Sequence, residues 1–218
     1  KLEEAELSIR KAIELKPDFA EAHSTLGSIF SDLGKLKEAE LSTRKAIELK
    51  PDFAIAHCNL GNIYCDLGKF EKAELSTRKA IALKPDFAEA YCNLGNIFRD
   101  SGKLEQSNKA YQKSLEIDPK QIQVISKIIY TLSRLCLWDE IEKYSPYLNR
   151  IGIEGKAVAP LNLMYIEDNP LHHLKRADKY AKEKTREELP NIKHKKNNKI
   201  KIGYFSSDFK DHPITHLL

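Results

Sequence analysis

Apolar and small residues recur along the first half of the chain in one fixed register. Leu26, Gly27 and Phe30 are followed by Ala39, Ala46 and Ile47; the same slots then hold Leu60, Gly61, Tyr64, Ala73, Ala80 and Ile81, and next Leu94, Gly95, Phe98, Ser107, Ser114 and Leu115. Within each block the apolar positions lie three or four residues apart, the spacing of one helix face, so each block predicts two amphipathic helices. Gly34, Gly68 and Gly102 fall between the two helices, where a left-handed residue closes the first helix. Pro17, Pro51, Pro85 and Pro119 stand 34 residues apart, and each ends a second helix, since proline lacks the donor needed to continue one.

The segments KAIELKPDFAEAH (Lys11 to His23), KAIELKPDFAIAH (Lys45 to His57) and KAIALKPDFAEAY (Lys79 to Tyr91) are near copies, so the period is a duplicated unit. A 34-residue helical hairpin with Leu-Gly in its first helix and alanines in its second resembles the tetratricopeptide repeat. The expected fold is mainly α, a right-handed superhelical solenoid over Leu2 to Arg150. Residues 1–119 are read as a partial first repeat and about three full ones, with Lys1 already inside a second helix, so that the chain is expected to be truncated at both ends. Residues 120–150 keep an apolar stripe (Ile122, Val124, Ile125, Ile128, Ile129, Leu132, Leu135) without the Leu-Gly pair, and Trp138 breaks the copy, as in a degenerate capping repeat that packs on the next domain. Residues 151–199 are read as a linker with a basic helix over Leu171 to Leu189 that sets Leu174, Ala177, Tyr180 and Ala181 on one face. Residues 200–218 change character again.

Composition narrows the class. Apolar residues make up 41% of the chain and charged ones 31%, and no apolar run approaches the ~18 residues of a membrane span. Cys58, Cys65, Cys92 and Cys136 form no CxxC pair, and Cys58 and Cys92 share a slot through duplication; small thiols in a reducing compartment fit best, with no metal and a cytoplasmic address. Between His172 and Lys201 there are eleven Lys or Arg against four Asp or Glu, a net of +7. No aromatic platform accompanies these cations, so a solvated linker face is expected rather than a nucleic-acid surface.

The last stretch, KIKIGYFSSDFKDHPITHLL, reads as strand, loop and helix start: Ile200 to Phe205, then turn residues, then Asp211 as cap and Pro213 in the first turn. Together with the repeats and Cys136-Leu137-Trp138-Asp139, it resembles the protein O-GlcNAc transferases. That resemblance implies a truncated start of an α/β, Rossmann-like glycosyltransferase domain, moving a sugar from a nucleotide donor (UDP-GlcNAc or similar) to Ser or Thr hydroxyls of proteins without a metal. His212, placed before a helix N-terminus that disfavours its charged form, is the candidate catalytic residue. His216 lies four residues on, but no further ligands complete a metal site. The donor-binding lobe would follow Leu218, so no cofactor is expected in this chain and no transferase activity from it alone.

A second functional surface lies in the repeats. Asn59 and Asn62, and their copies Asn93 and Asn96, share a helix face. Each costs about 0.5 kcal/mol relative to alanine as a helix former, so alanine in their place is expected to raise stability. The resemblance implies that Asn59 and Asn93 line an inner groove and bond the backbone of an extended peptide, with Thr25 and Ser28 in these slots of the first repeat. The alternative function is a stand-alone peptide-binding adaptor. In either case the expected partners are extended peptides or protein substrates, with no membrane and no nucleic acid.

Overall fold

The computed structural model describes residues 2–159, 163–164 and 166–184. Seven helices carry the repeats: α1 (Leu2–Leu15), α2 (Ala20–Asp32), α3 (Leu36–Leu49), α4 (Ala54–Asp66), α5 (Phe70–Leu83), α6 (Ala88–Asp100) and α7 (Leu104–Ile117). They are followed by α8 (Gln123–Arg134), the short α9 (Trp138–Ile141), a 3-10 helix (Glu142–Tyr147) and α10 (Pro170–Lys184). No strand occurs among the described residues, and the expected strand, loop and helix start over 200–218, with His212 and His216, lies outside them.

Each hairpin, α2 with α3, α4 with α5 and α6 with α7, is pinned where a glycine of the first helix faces the second. A Cβ on Gly27 would stand 2.1 Å from Thr43 Oγ1 and 3.2 Å from the Ala39 carbonyl oxygen; Gly61 repeats this against Thr77 and Ala73. In the third pair a Cβ on Gly95 would stand 2.4 Å from the Tyr111 ring. Ala39, Ala46, Ala73 and Ala80 are wholly buried beside these crossings, so the two backbones approach as closely as small side chains permit. Serines replace the alanines in the third pair, and each hydroxyl is satisfied: Ser107 donates to the Gly95 carbonyl at 2.8 Å and Ser114 to the Ala88 carbonyl at 2.7 Å. The Oγ1 atoms of Thr43 and Thr77, by contrast, are buried without a hydrogen-bond partner in the protein.

Between hairpins the period reappears as electrostatics. Lys35 pairs with Glu6 at 3.5 Å, Lys69 with Glu40 at 3.3 Å and Lys103 with Glu74 at 3.3 Å, each across the same 29-residue step. His23 and His57 bond the carbonyls of Pro17 and Pro51 at 2.9 Å, which fastens each inter-repeat turn to the helix after it. The first helices also meet one another, α2 with α4 and α4 with α6, and so form one continuous wall.

The cap departs from the repeat for a physical reason. Ile129 occupies the slot of Gly27, Gly61 and Gly95 and is wholly buried, so its side chain fills the space through which a second helix would approach. In place of a full second helix the chain forms the four-residue α9 and a 3-10 helix containing Pro146. Cys136 stands in the slot of the turn glycines; Gly102 has φ 79° and Cys136 has φ 57°, a left-handed conformation that glycine adopts without cost. The outer face of α8 (Val124, Ile125, Ile128, Ile129, Leu132) is covered by Ile141, Ile151, Val158 and Leu163, so the segment directly after the repeats seals the end of the array.

The reading of α10 needs correction. Leu174 and Ala177, expected to define its apolar face, are exposed, and the residue that faces inward is Arg176, wholly buried. Its guanidinium bonds the carbonyls of Ile151 and Leu148 and pairs with Glu167, which also holds His172 at 2.6 Å. The helix is therefore docked by charge and backbone acceptors rather than by an apolar stripe. Burial pushes the Glu167 carboxyl upward, but its bonds to Arg176 and His172 outweigh that and leave it below the usual carboxylate value. Residues 185–189 of the expected helix lie outside the described residues.

These contacts generate two predictions. Gly61→Ala lowers stability by about 2 kcal/mol through overpacking, and adding Thr77→Ala, which removes the clashing hydroxyl, restores more than half of it. Urea unfolding of the two single variants and the pair checks this; simple additivity contradicts it. Cys136→Gly relieves a left-handed non-glycine residue and raises stability by about 1 kcal/mol in the same assay.

Candidate peptide-binding groove

The wall formed by α2, α4, α6 and α8 brings the predicted asparagines together in a regular ladder. Asn59 Nδ2 donates to Ser24 Oγ at 3.2 Å and to Ser28 Oγ at 3.0 Å, both on the preceding first helix. Asn93 Nδ2 donates to Cys58 Sγ at 3.1 Å. One repeat further, Lys127 takes the same slot and donates to Cys92 Sγ at 3.2 Å and to Asn96 Oδ1 at 3.0 Å. In every case a donor on one helix reaches back 35 residues to a small acceptor, Ser24, Cys58 or Cys92, on the helix before it. The first repeat, which lacks an asparagine, supplies acceptors instead.

This geometry changes the meaning of the asparagines. Asn93 is buried, and the amide nitrogens of both residues are already committed within the wall. Asn59 spends both amide hydrogens in this way and Asn93 one, so the carbonyl oxygen is the group both residues keep for a passing peptide, an acceptor for a backbone N–H. The expectation that alanine would raise stability is therefore corrected. Alanine gains about 0.5 kcal/mol of helix propensity but loses inter-repeat hydrogen bonds worth about 1 kcal/mol each. Asn62 lies one turn after Asn59 on α4, and its copy Asn96 is tied down by two donors, Lys127 Nζ and Tyr111 Oη at 2.9 Å.

Cys58 and Cys92 serve this wall as hydrogen-bond acceptors. Burial pushes the Cys58 thiol up to about 12, so it stays protonated at neutral pH and serves Asn93 as a neutral partner. All four cysteines are unpaired, and no group of three or more His, Cys, Asp or Glu side chains among the described residues could hold a metal ion.

Charge varies along the wall. Asp66 and Asp100 end α4 and α6 at equivalent positions, and Cys65 lies 3.7 Å from the Asp100 carboxylate. Desolvation, reinforced by Asp100, holds the Asp66 carboxyl above its ordinary value. Toward α8 the balance reverses. A cavity of about 860 Å³ there is lined by Arg99, Lys127 and Lys156, with Glu89 as its carboxylate, and by Tyr180 of α10. Lys127 was not among the residues singled out from sequence, although counting 34 on from Asn93 leads to it. Its ammonium lies 5.6 Å from the centroid of the Tyr111 ring.

Comparison with known proteins agrees with the repeat fold. The TPR repeat description matches residues 27–68 and 61–98, and the tetratricopeptide repeat description matches residues 88–121. The repeats are tetratricopeptide repeats. Among solved structures, MamA is 24% identical, with a TM-score of 0.58, over 83% of this chain and 91% of that one. A thermophilic TPR protein of Thermus thermophilus is 24% identical, with a TM-score of 0.57, over 60% of this chain and 73% of that one. The first TPR of Spaghetti (RPAP3), solved bound to the HSP90 peptide SRMEEVD, is 26% identical, with a TM-score of 0.51, over 54% of this chain and 93% of that one. The search of curated proteins returned no match. Among the described residues no helix is long and apolar enough to cross a membrane.

Proposed function

We propose that this chain is a protein-interaction arm that holds extended segments of partner proteins against the wall of α2, α4, α6 and α8. The observation that carries the reading is the ladder itself. Asn59 and Asn93 are fixed from behind by Ser24, Ser28 and Cys58, so their carbonyl oxygens are presented without the entropy cost of ordering a free side chain. Two acceptors one repeat apart suit a main chain, whose N–H groups recur along its length, and they grip it with little demand on its sequence. The RPAP3 repeat domain, solved with a bound peptide, has the fold in such a role in another protein.

The adaptor reading rests on the bonds that fix Asn59 and Asn93 in the wall. The wider reading, in which the same arm recruits substrates for a sugar-transferring domain with His212 in its active site and UDP-GlcNAc or a similar nucleotide sugar as donor, rests on the resemblance carried by the repeats, Cys136-Leu137-Trp138-Asp139 and residues 200–218 together. The repeat matches and the similar structures support the groove, and none of them bears on the transferase.

Asn59→Ala with Asn93→Ala is predicted to weaken binding of extended peptides, SRMEEVD included, by about tenfold, at about 1 kcal/mol per lost hydrogen bond partly offset by adaptation. Leu41→Ser with Leu75→Ser, on the exposed faces of α3 and α5, leaves affinity unchanged and serves as the control. Titration calorimetry on both pairs decides: equal effects of the two double variants, or none from the asparagines, contradict the groove reading.

A further inference from the structure

The third rung of the ladder differs from the first two in charge. Where α4 and α6 carry Asn59 and Asn93, α8 carries Lys127. Its ammonium is half-buried and held by neutral groups: Cys92 Sγ, Asn96 Oδ1 and the face of the Tyr111 ring. Two of its three donors are used within the wall, and among the described residues no carboxylate pairs with it. A partly desolvated cation supported by neutral partners gains most from an anion brought to it. Beside it lies the cavity of about 860 Å³, where Arg99 and Lys156 add positive charge against Glu89. Arg99 is already engaged by Asp100 at 2.8 Å, so Lys127 and Lys156 are the cations left to meet a ligand.

We propose that this end of the groove selects an acidic side chain, a glutamate or aspartate within an extended bound segment, with Lys127 as the specificity-determining residue. The inference rests on the groove reading above and gives it chemical direction: the amide rungs hold main chain, and the ammonium rung asks for a carboxylate. A side chain rather than a chain terminus is the choice made, because Lys127 meets α6 at Cys92 and Asn96, between Glu89 and Arg99, which both line the cavity.

The test uses end-blocked dodecapeptides of serine, threonine and valine carrying either three glutamates or three glutamines at alternate positions, with fluorescence anisotropy on the whole chain. The glutamate peptide is expected to bind about tenfold tighter at low salt, and the preference to shrink as salt rises. Lys127→Asn, which installs the residue of the two preceding rungs, abolishes the preference while both peptides still bind; Lys127→Arg retains it, which separates charge from folding. Equal affinity of the two peptides for the unaltered chain, or a preference that survives Lys127→Asn, overturns this inference alone. Failure of both peptides to bind overturns it together with the groove reading. A glutamine peptide with a free C-terminus that gains as much as the glutamate peptide assigns the site to a terminal carboxylate and overturns it as well.

Discussion

The close approach of two helix backbones at Gly27, Gly61 and Gly95 is the constraint on which the rest of this structure depends. With the glycine Cα set against Thr43, Thr77 or Tyr111, and alanine or serine beside it, each hairpin has a single depth of packing. Because the hairpins are nearly the same, the step from one to the next is also nearly the same. The first helices then fall into register, and a donor at one slot finds an acceptor 35 residues back every time. The groove is thus a consequence of the crossing: small residues at the back of the hairpin place polar residues at equal steps on its front.

The same constraint explains where the array ends. Once Ile129 fills the glycine slot, the second helix shrinks to α9, and the apolar side of α8 is closed by Ile151, Val158 and Leu163 instead of another repeat. Arg176 holds that closing segment in place by bonding carbonyls that would otherwise lie buried beside it, and Glu167 neutralises it. A buried charge with a full set of partners fixes position more than it adds stability. Here it positions α10 so that Tyr180 helps line the cationic end of the groove.

Much of this was legible in the chain because duplication repeats a signal. The 34-residue step of the prolines and the Leu-Gly pairs gave the helix order, and Gly34, Gly68 and Gly102 gave the turns. The asparagine rungs could be found as copies, but not their direction: that Nδ2 turns back to Ser24, Ser28 or Cys58 depends on the distance between successive first helices, which no local pattern carries. Lys127, and the turn position of Cys136, were hidden by the decay of the repeat, although each stands 34 residues after a residue already recognised, Asn93 and Gly102. Arg176 was illegible for a different reason. An arginine in a basic helix looks solvent-facing, and only the fold shows the carbonyls of Leu148 and Ile151 brought to meet it. Cap and docking contacts occur once, so they have no period to announce them.

The central claim is that the face carrying the asparagine rungs, and not the face carrying the exposed leucines of α3 and α5, is the one that holds a partner. The direct measurement is nitrogen-15 NMR of the labelled chain during titration with an extended peptide, following the side-chain amides of Asn59 and Asn93. The account predicts that these two amide signals shift together and saturate at one peptide per chain. Shifts confined to α3 and α5 around Leu41 and Leu75, with both asparagine amides unmoved at saturation, would contradict it.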